Sequence, residues 1–150
     1  MIACLRLLSA LCLAALLAAC ASSPSSSLGE LPRTPDASIE QLLEQATNAK
    51  TPEKAALLRL SAADLAYQQN NPGRSSQILA QVPLDALKPA AQVFASTLAA
   101  ELAMGRNQPK AALAALNHPS LQSLKELPTD QQIRTGTGHA RAYEADGQAL

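Results

Sequence analysis

The sequence predicts an all-α fold of antiparallel helix pairs stacked side by side, and three observations lead there. Alanine and leucine dominate, while aromatic side chains are reduced to Tyr67, Phe94 and Tyr143, with no Trp. Apolar residues return at helical spacing between clear capping and turn signals. Long helical segments open at Pro52, Pro89 and about Asp130, separated by 37 and about 41 residues.

The elements follow in order. Ser38 and Gln41 form a capping box, in which each side chain serves the other's backbone N–H. Behind it Ile39, Leu42, Leu43 and Ala46 make one apolar stripe. Thr51 is an N-cap with Pro52 at the first helical position, where a missing N–H does no harm. The helix it opens runs to about Asn70, with Ala55, Leu58, Ala62, Leu65 and Ala66 on one face, and Asn71-Pro72-Gly73 ends it. A shorter helix covers about Arg74 to Gln81, with Ile78, Leu79 and Val82 apolar, and Pro83 closes it.

The pattern then repeats. Pro89 opens a helix to about Met104, with Val93, Phe94, Thr97, Leu98 and Leu102 to one side and Gly105 as its stop. Pro109 opens a short helix to about Leu116 with Ala112, Leu113 and Leu116 inward, and His118-Pro119 breaks it. One or two further turns span Ser120 to Leu127. Thr129 and Gln132 read as a second capping box, before a helix to about Ala145 that ends at Asp146-Gly147. Gly136 and Gly138 lie inside it. Each costs roughly 1 kcal/mol in a helix interior, so they mark a close helix crossing or a kink.

Pairs of helices with this period resemble tetratricopeptide repeats. Ala140, Tyr143 and Gly147 hold the small, aromatic, glycine order of that consensus. In the second unit Gly105 and Ala111 fit, and in the first Tyr67 fits the aromatic place, although no unit has the consensus tryptophan. The resemblance implies a superhelix of stacked pairs occupying residues 38–150. The last unit has its first helix but no covering partner, so the chain is expected to be a piece of a longer protein.

The amino-terminal segment is of another kind. Arg6 precedes thirteen residues, Leu7 to Ala19, almost all Leu or Ala. That is short of the ~20 residues that span a bilayer, and it fits the apolar stretch of a secretory signal. The stretch Leu17-Ala18-Ala19-Cys20 resembles the lipobox of bacterial lipoproteins. The resemblance implies cleavage between Ala19 and Cys20, residues 1–19 being the signal peptide, and lipid on Cys20. Two or three acyl chains anchor stably where one does not, since each buried CH₂ is worth roughly 0.8 kcal/mol. Ala21 and Ser22, in place of an aspartate after the cysteine, imply an outer-membrane location facing the periplasm. Residues 20–37 then form a lipidated Ser/Pro-rich tether, read as disordered, whose residues after Cys20 reach at most about 60 Å when extended.

Charge excludes some functions. Lys plus Arg and Asp plus Glu number 12 each, with no block of one sign, so no nucleic-acid partner is indicated. Cys4 and Cys12 fall in the signal, which leaves Cys20 as the lone mature cysteine and excludes an intrachain disulfide. His118 and His139 are too far apart in sequence for an HExxH site and read as loop and helix-surface residues. Gly136-Thr137-Gly138-His139 is not a nucleophile elbow. Glu40 with Glu44, and Asp64 with Gln68, stand one helical turn apart, as solvated helix faces do. No enzymatic activity and no cofactor is expected. A partner surface is, with Gln68, Gln69, Arg74, Arg106 and Lys110 near the turns as candidates, none of them assigned a contact.

The lipobox, "TPDASIEQLLEQA", "KAALLRLSAADLAYQQNNPGRSSQIL" and "LAMGRNQPKAALAAL" together resemble the amino-terminal part of the penicillin-binding protein activator LpoA family. The resemblance implies an outer-membrane lipoprotein that binds and activates a class A penicillin-binding protein, a peptidoglycan synthase. In that family a larger carboxy-terminal domain makes the main contact, so this chain would supply the anchor and the helical part. Alternatives keep the anchor and fold but change the partner: a scaffold or adaptor for barrel assembly, pilus secretin assembly or hydrolases, or direct binding of glycan or muropeptide.

Overall fold

The structure is a computed structural model, and it describes residues 36–147. Among these residues six α-helices follow one another: α1 Ile39–Thr47, α2 Pro52–Gln68, α3 Pro72–Leu79, α4 Pro89–Gly105, α5 Pro109–Leu116 and α6 Thr129–Ala145. Two 3₁₀ segments, Leu84–Ala86 and Pro119–Glu126, precede α4 and α6. Among the described residues there is no strand. The fold is an all-α helical repeat, as expected. The long helices α2, α4 and α6 each have 17 residues, and their starts are 37 and 40 residues apart.

Capping chemistry starts the first two helices as the sequence predicts. Ser38 N–H donates to Gln41 Oε1 at 2.8 Å, and Gln41 N–H donates to Ser38 Oγ at 3.2 Å. Thr51 Oγ1 accepts from Lys54 N–H at 3.2 Å. The helix ends correct the sequence reading. Gly105 is the last residue of α4 and not its stop. The chain turns at Asn107, whose φ is 58°. Asn107 N–H donates to Met104 O and Gln108 N–H to Ala103 O, the two bonds of a Schellman motif. Asn70, also at φ 58°, ends α2 identically, with Asn70 N–H to Tyr67 O and Asn71 N–H to Ala66 O. Asparagine tolerates the left-handed region because its short amide bonds locally. Gly147, at φ 73°, takes this place after α6.

Asn71 therefore serves two helices: its N–H closes α2, and its side chain opens the next. Its Oδ1 accepts from Arg74 N–H at 3.1 Å, making it the N-cap of α3, which starts at Pro72 and not at Arg74. The second predicted capping box is also absent. Pro128 occupies the cap, Thr129 is the first helical residue, and Gln132 Nε2 donates back to Leu127 O at 2.7 Å. Gln92 does the same to Leu87 O at 3.0 Å, so α4 and α6 share one start device. Leu87 and Leu127 are both buried beneath it.

The long helices bury more than a stripe. Ala56, Leu60, Ala62, Ala63 and Ala66 of α2 have no exposure, although only Ala62 and Ala66 of these belong to the expected face. Ala55 and Leu65, expected inward, are half-buried. The reason is position: α2 packs against both α1 and α3 and also meets α4. A helix enclosed on several sides loses its one-sided pattern. One apolar cluster runs from Ile39 through Ile78 and Val82 to Leu102. A second joins Ala100, Ala103, Ala112, Leu116 and Ala142. Ala112, and not the exposed Ala111, is the small packing residue of α5. Gly136 and Gly138 mark no close crossing: a Cβ at either would meet nothing within 4 Å, and α6 runs unbroken past both.

Replacing Asn107 separates backbone strain from contact. Asn107→Gly is expected to leave stability within a few tenths of a kcal/mol, because glycine adopts positive φ freely. Asn107→Val is expected to cost about 1–2 kcal/mol, the penalty of a left-handed β-branched residue. Urea unfolding of both variants measures the difference.

Candidate functional site

Three long helices meet through one arginine. Arg134 of α6 reaches Glu101 of α4 in a fork, Nε to Oε1 at 2.8 Å and Nη2 to Oε2 at 2.6 Å. The same Nη2 stands 3.4 Å from Asp64 Oδ1 of α2. The other Asp64 oxygen accepts from Gln68 Nε2. The guanidinium also lies over the Phe94 ring, 5.0 Å from its centroid, a favourable cation–π distance. Planar, bidentate pairing of this kind is what arginine does and lysine cannot. The Glu101 hydrogen bonds raise the Arg134 pKa above its usual value, against the opposing effect of burial. Deeper in the contact between α4 and α6, Thr97 Oγ1 donates to Val93 O at 2.9 Å. That leaves Thr135 to donate to Thr97 Oγ1, at 2.8 Å.

Beside the arginine lies a groove of about 580 Å³ between the α2–α3 turn and the end of α4. Tyr67, Gln68, Gly73, Glu101, Leu102 and Arg106 are among its walls, with Gly105. Arg106 Nη2 donates to Ser76 Oγ across the turn. Burial, and next the Glu101 charge, raise the Tyr67 phenol pKa above 10, while Arg134 and Arg141 oppose the shift. Tyr67 is therefore a neutral hydrogen-bond donor over the whole physiological range.

The sequence-derived candidates divide accordingly. Gln68 and Arg106 line the groove. Gln69, Arg74 and Lys110 are exposed and do not. The pair Asp64 and Gln68 is not a solvated face: Asp64 is buried and bonded into the arginine network. Arg134 and Glu101 were not anticipated. A usable signal existed for Glu101, which follows Asp64 by the same 37 residues that separate Pro52 and Pro89. His118 caps the second 3₁₀ segment, its Nδ1 accepting from Ser120 N–H at 3.2 Å. His139 stacks on Tyr143, with ring centroids 5.1 Å apart. Ala19 and Cys20, with the rest of residues 1–35, lie outside the described residues.

What this arrangement does is join three helices and leave an open groove beside them. Among the described residues no group of three His, Cys, Asp or Glu side chains stands together as for a metal ion. No described helix is long and apolar enough to cross a membrane.

The model of the family described as "LppC putative lipoprotein" matches residues 32–150. The chain belongs to the LppC family. This is in keeping with the resemblance to LpoA-like lipoproteins seen in the sequence, and it makes the protein a lipoprotein, anchored to a membrane by lipid. The LppC match takes in the six described α-helices and the residues of the arginine network. No curated protein and no solved structure matches the chain.

Two measurements test the site. Arg134→Ala leaves Glu101 and Asp64 facing each other without their cation, and is expected to cost about 1–3 kcal/mol in urea unfolding. Arg134→Lys recovers only part of that, since an ammonium cannot make the fork. In a Tyr143→Phe variant Tyr67 is the only tyrosine left. Its absorbance titration is expected to have its midpoint above pH 10, and Glu101→Gln is expected to lower that midpoint. Because the folded pKa is the higher one, the associated stability is present below the unfolded value and is lost as pH rises through the folded value.

Proposed function

We propose that this LppC-family lipoprotein carries its lipid on Cys20, sits in the outer membrane facing the periplasm, and regulates peptidoglycan synthesis. It would do so by binding and activating a class A penicillin-binding protein, with this chain as the anchor and helical part. It acts by binding and not by catalysis, and uses no cofactor. The observation that carries the reading is the family match over residues 32–150, joined to the resemblance of Leu17-Ala18-Ala19-Cys20 to a lipobox. Stacked helix pairs support it physically, since such arrays offer extended surfaces to partners.

The test is reconstitution. Added to a purified class A synthase, the protein as its host makes it is expected to raise the proportion of cross-linked product. No increase at saturating protein removes the activator reading, and co-purification with an envelope assembly factor would replace it by the adaptor reading. Separately, Cys20→Ser is expected to leave the protein uncleaved and displaced from the outer-membrane fraction on density separation. Unchanged fractionation would sink the lipid-anchor assignment.

A further inference from the structure

The groove beside Arg134 has two walls that the fold does not explain. Gly73 is the second residue of α3 and Gly105 the last of α4. Neither has positive φ, which among the described glycines belongs to Gly147 alone. A Cβ at Gly105 would meet nothing within 4 Å, and one at Gly73 only Asn71 Oδ1, at 4.0 Å. Alanine would be the better helix former at both places. What a missing Cβ does provide is room for another backbone to approach closely.

The charges of the groove indicate what approaches. Both oxygens of Glu101 accept from Arg134, and the two of Asp64 are held by Arg134 and Gln68. These carboxylates are thus already satisfied. Arg106 gives one Nη2 N–H to Ser76 and keeps further guanidinium donors for the groove. The Tyr67 phenol also lines it and makes no hydrogen bond among the described residues. Leu102, buried, supplies an apolar floor. Uncommitted donors therefore stand around an apolar base.

We propose that this groove binds an extended peptide segment of a partner protein, with a carboxylate received by Arg106, the Tyr67 phenol as a further donor on the wall, and the backbone laid across Gly73 and Gly105. Charge-assisted bonds to the guanidinium fix the carboxylate, and the two glycines set how near the segment lies. The inference rests on reading the domain as a binding module and is tested by a readout separate from synthase activity.

The whole protein, immobilised, is offered two pools of N-acetylated hexapeptides. One holds Asp or Glu at the fourth position and the other Asn or Gln. The acidic pool is expected to be retained about tenfold better, the ratio one charge-assisted contact supports. Arg106→Gln is expected to abolish that preference. Gly105→Leu is expected to reduce retention of the acidic pool while the thermal midpoint holds or rises, leucine being the better helix former. Equal retention of the two pools by the unaltered protein overturns the proposal. So does an acidic preference that survives Arg106→Gln, or full retention by a folded Gly105→Leu. Synthase activation without peptide retention removes this proposal alone, whereas retention without activation removes only the activator reading.

Discussion

Close approach of helices is the constraint on which the remainder of this fold rests. The interior of α2 is built from Ala56, Ala62, Ala63 and Ala66, and that of the α4–α5–α6 contact from Ala100, Ala103, Ala112 and Ala142. A methyl group loses no rotamer freedom on burial and lets two backbones come near. Leucines such as Leu60, Leu98 and Leu116 fill the spaces that remain. The composition follows from this geometry: with helices so close there is little room for aromatic rings, and Phe94 is the one aromatic that is buried.

Such an apolar core has little to fix how one unit is set against the next, because methyl contacts are non-directional. Directional bonds supply the register. The Thr97–Thr135 hydroxyl pair and the Arg134 fork both join helices that stand far apart in sequence. Arg134 reaches across two units at once, to Glu101 and to Asp64. Its place beside the groove means that the same contacts which align the helices also fill the acceptors of the neighbouring carboxylates. Structural pairing within the stack and the character of the exposed groove are thus linked through a single side chain.

Features governed by local chemistry were legible in the sequence, and those governed by enclosure were not. Ser38 with Gln41, Thr51 with Pro52, and the openings at Pro89 and Pro109 are backbone-scale signals, and the helices begin there. Gly105 was misread because glycine is the usual stop, whereas Asn107 two residues on takes the positive φ. Thr129 looked like a cap, but Pro128 and the back-turned Gln132 form the entry instead. The buried face of α2 was underestimated because period alone assumes one packed side, and this helix has several. Arg134 escaped notice because nothing in its neighbourhood along the chain marks it. Its partners are 33 and 70 residues away.

The position of α1 has a mechanical consequence. A chain held at its amino-terminal side passes any pull first into Ser38 and the nine residues of α1. That helix packs chiefly on α2, through Ile39, Leu42 and Ala46, and it takes no part in the arginine network. Under load it would peel away as a unit, one short contact row at a time. The helices behind it, α2, α4 and α6, remain clasped by Arg134. Load entering at α1 thus meets the α1–α2 contact before it reaches the helices joined through Arg134.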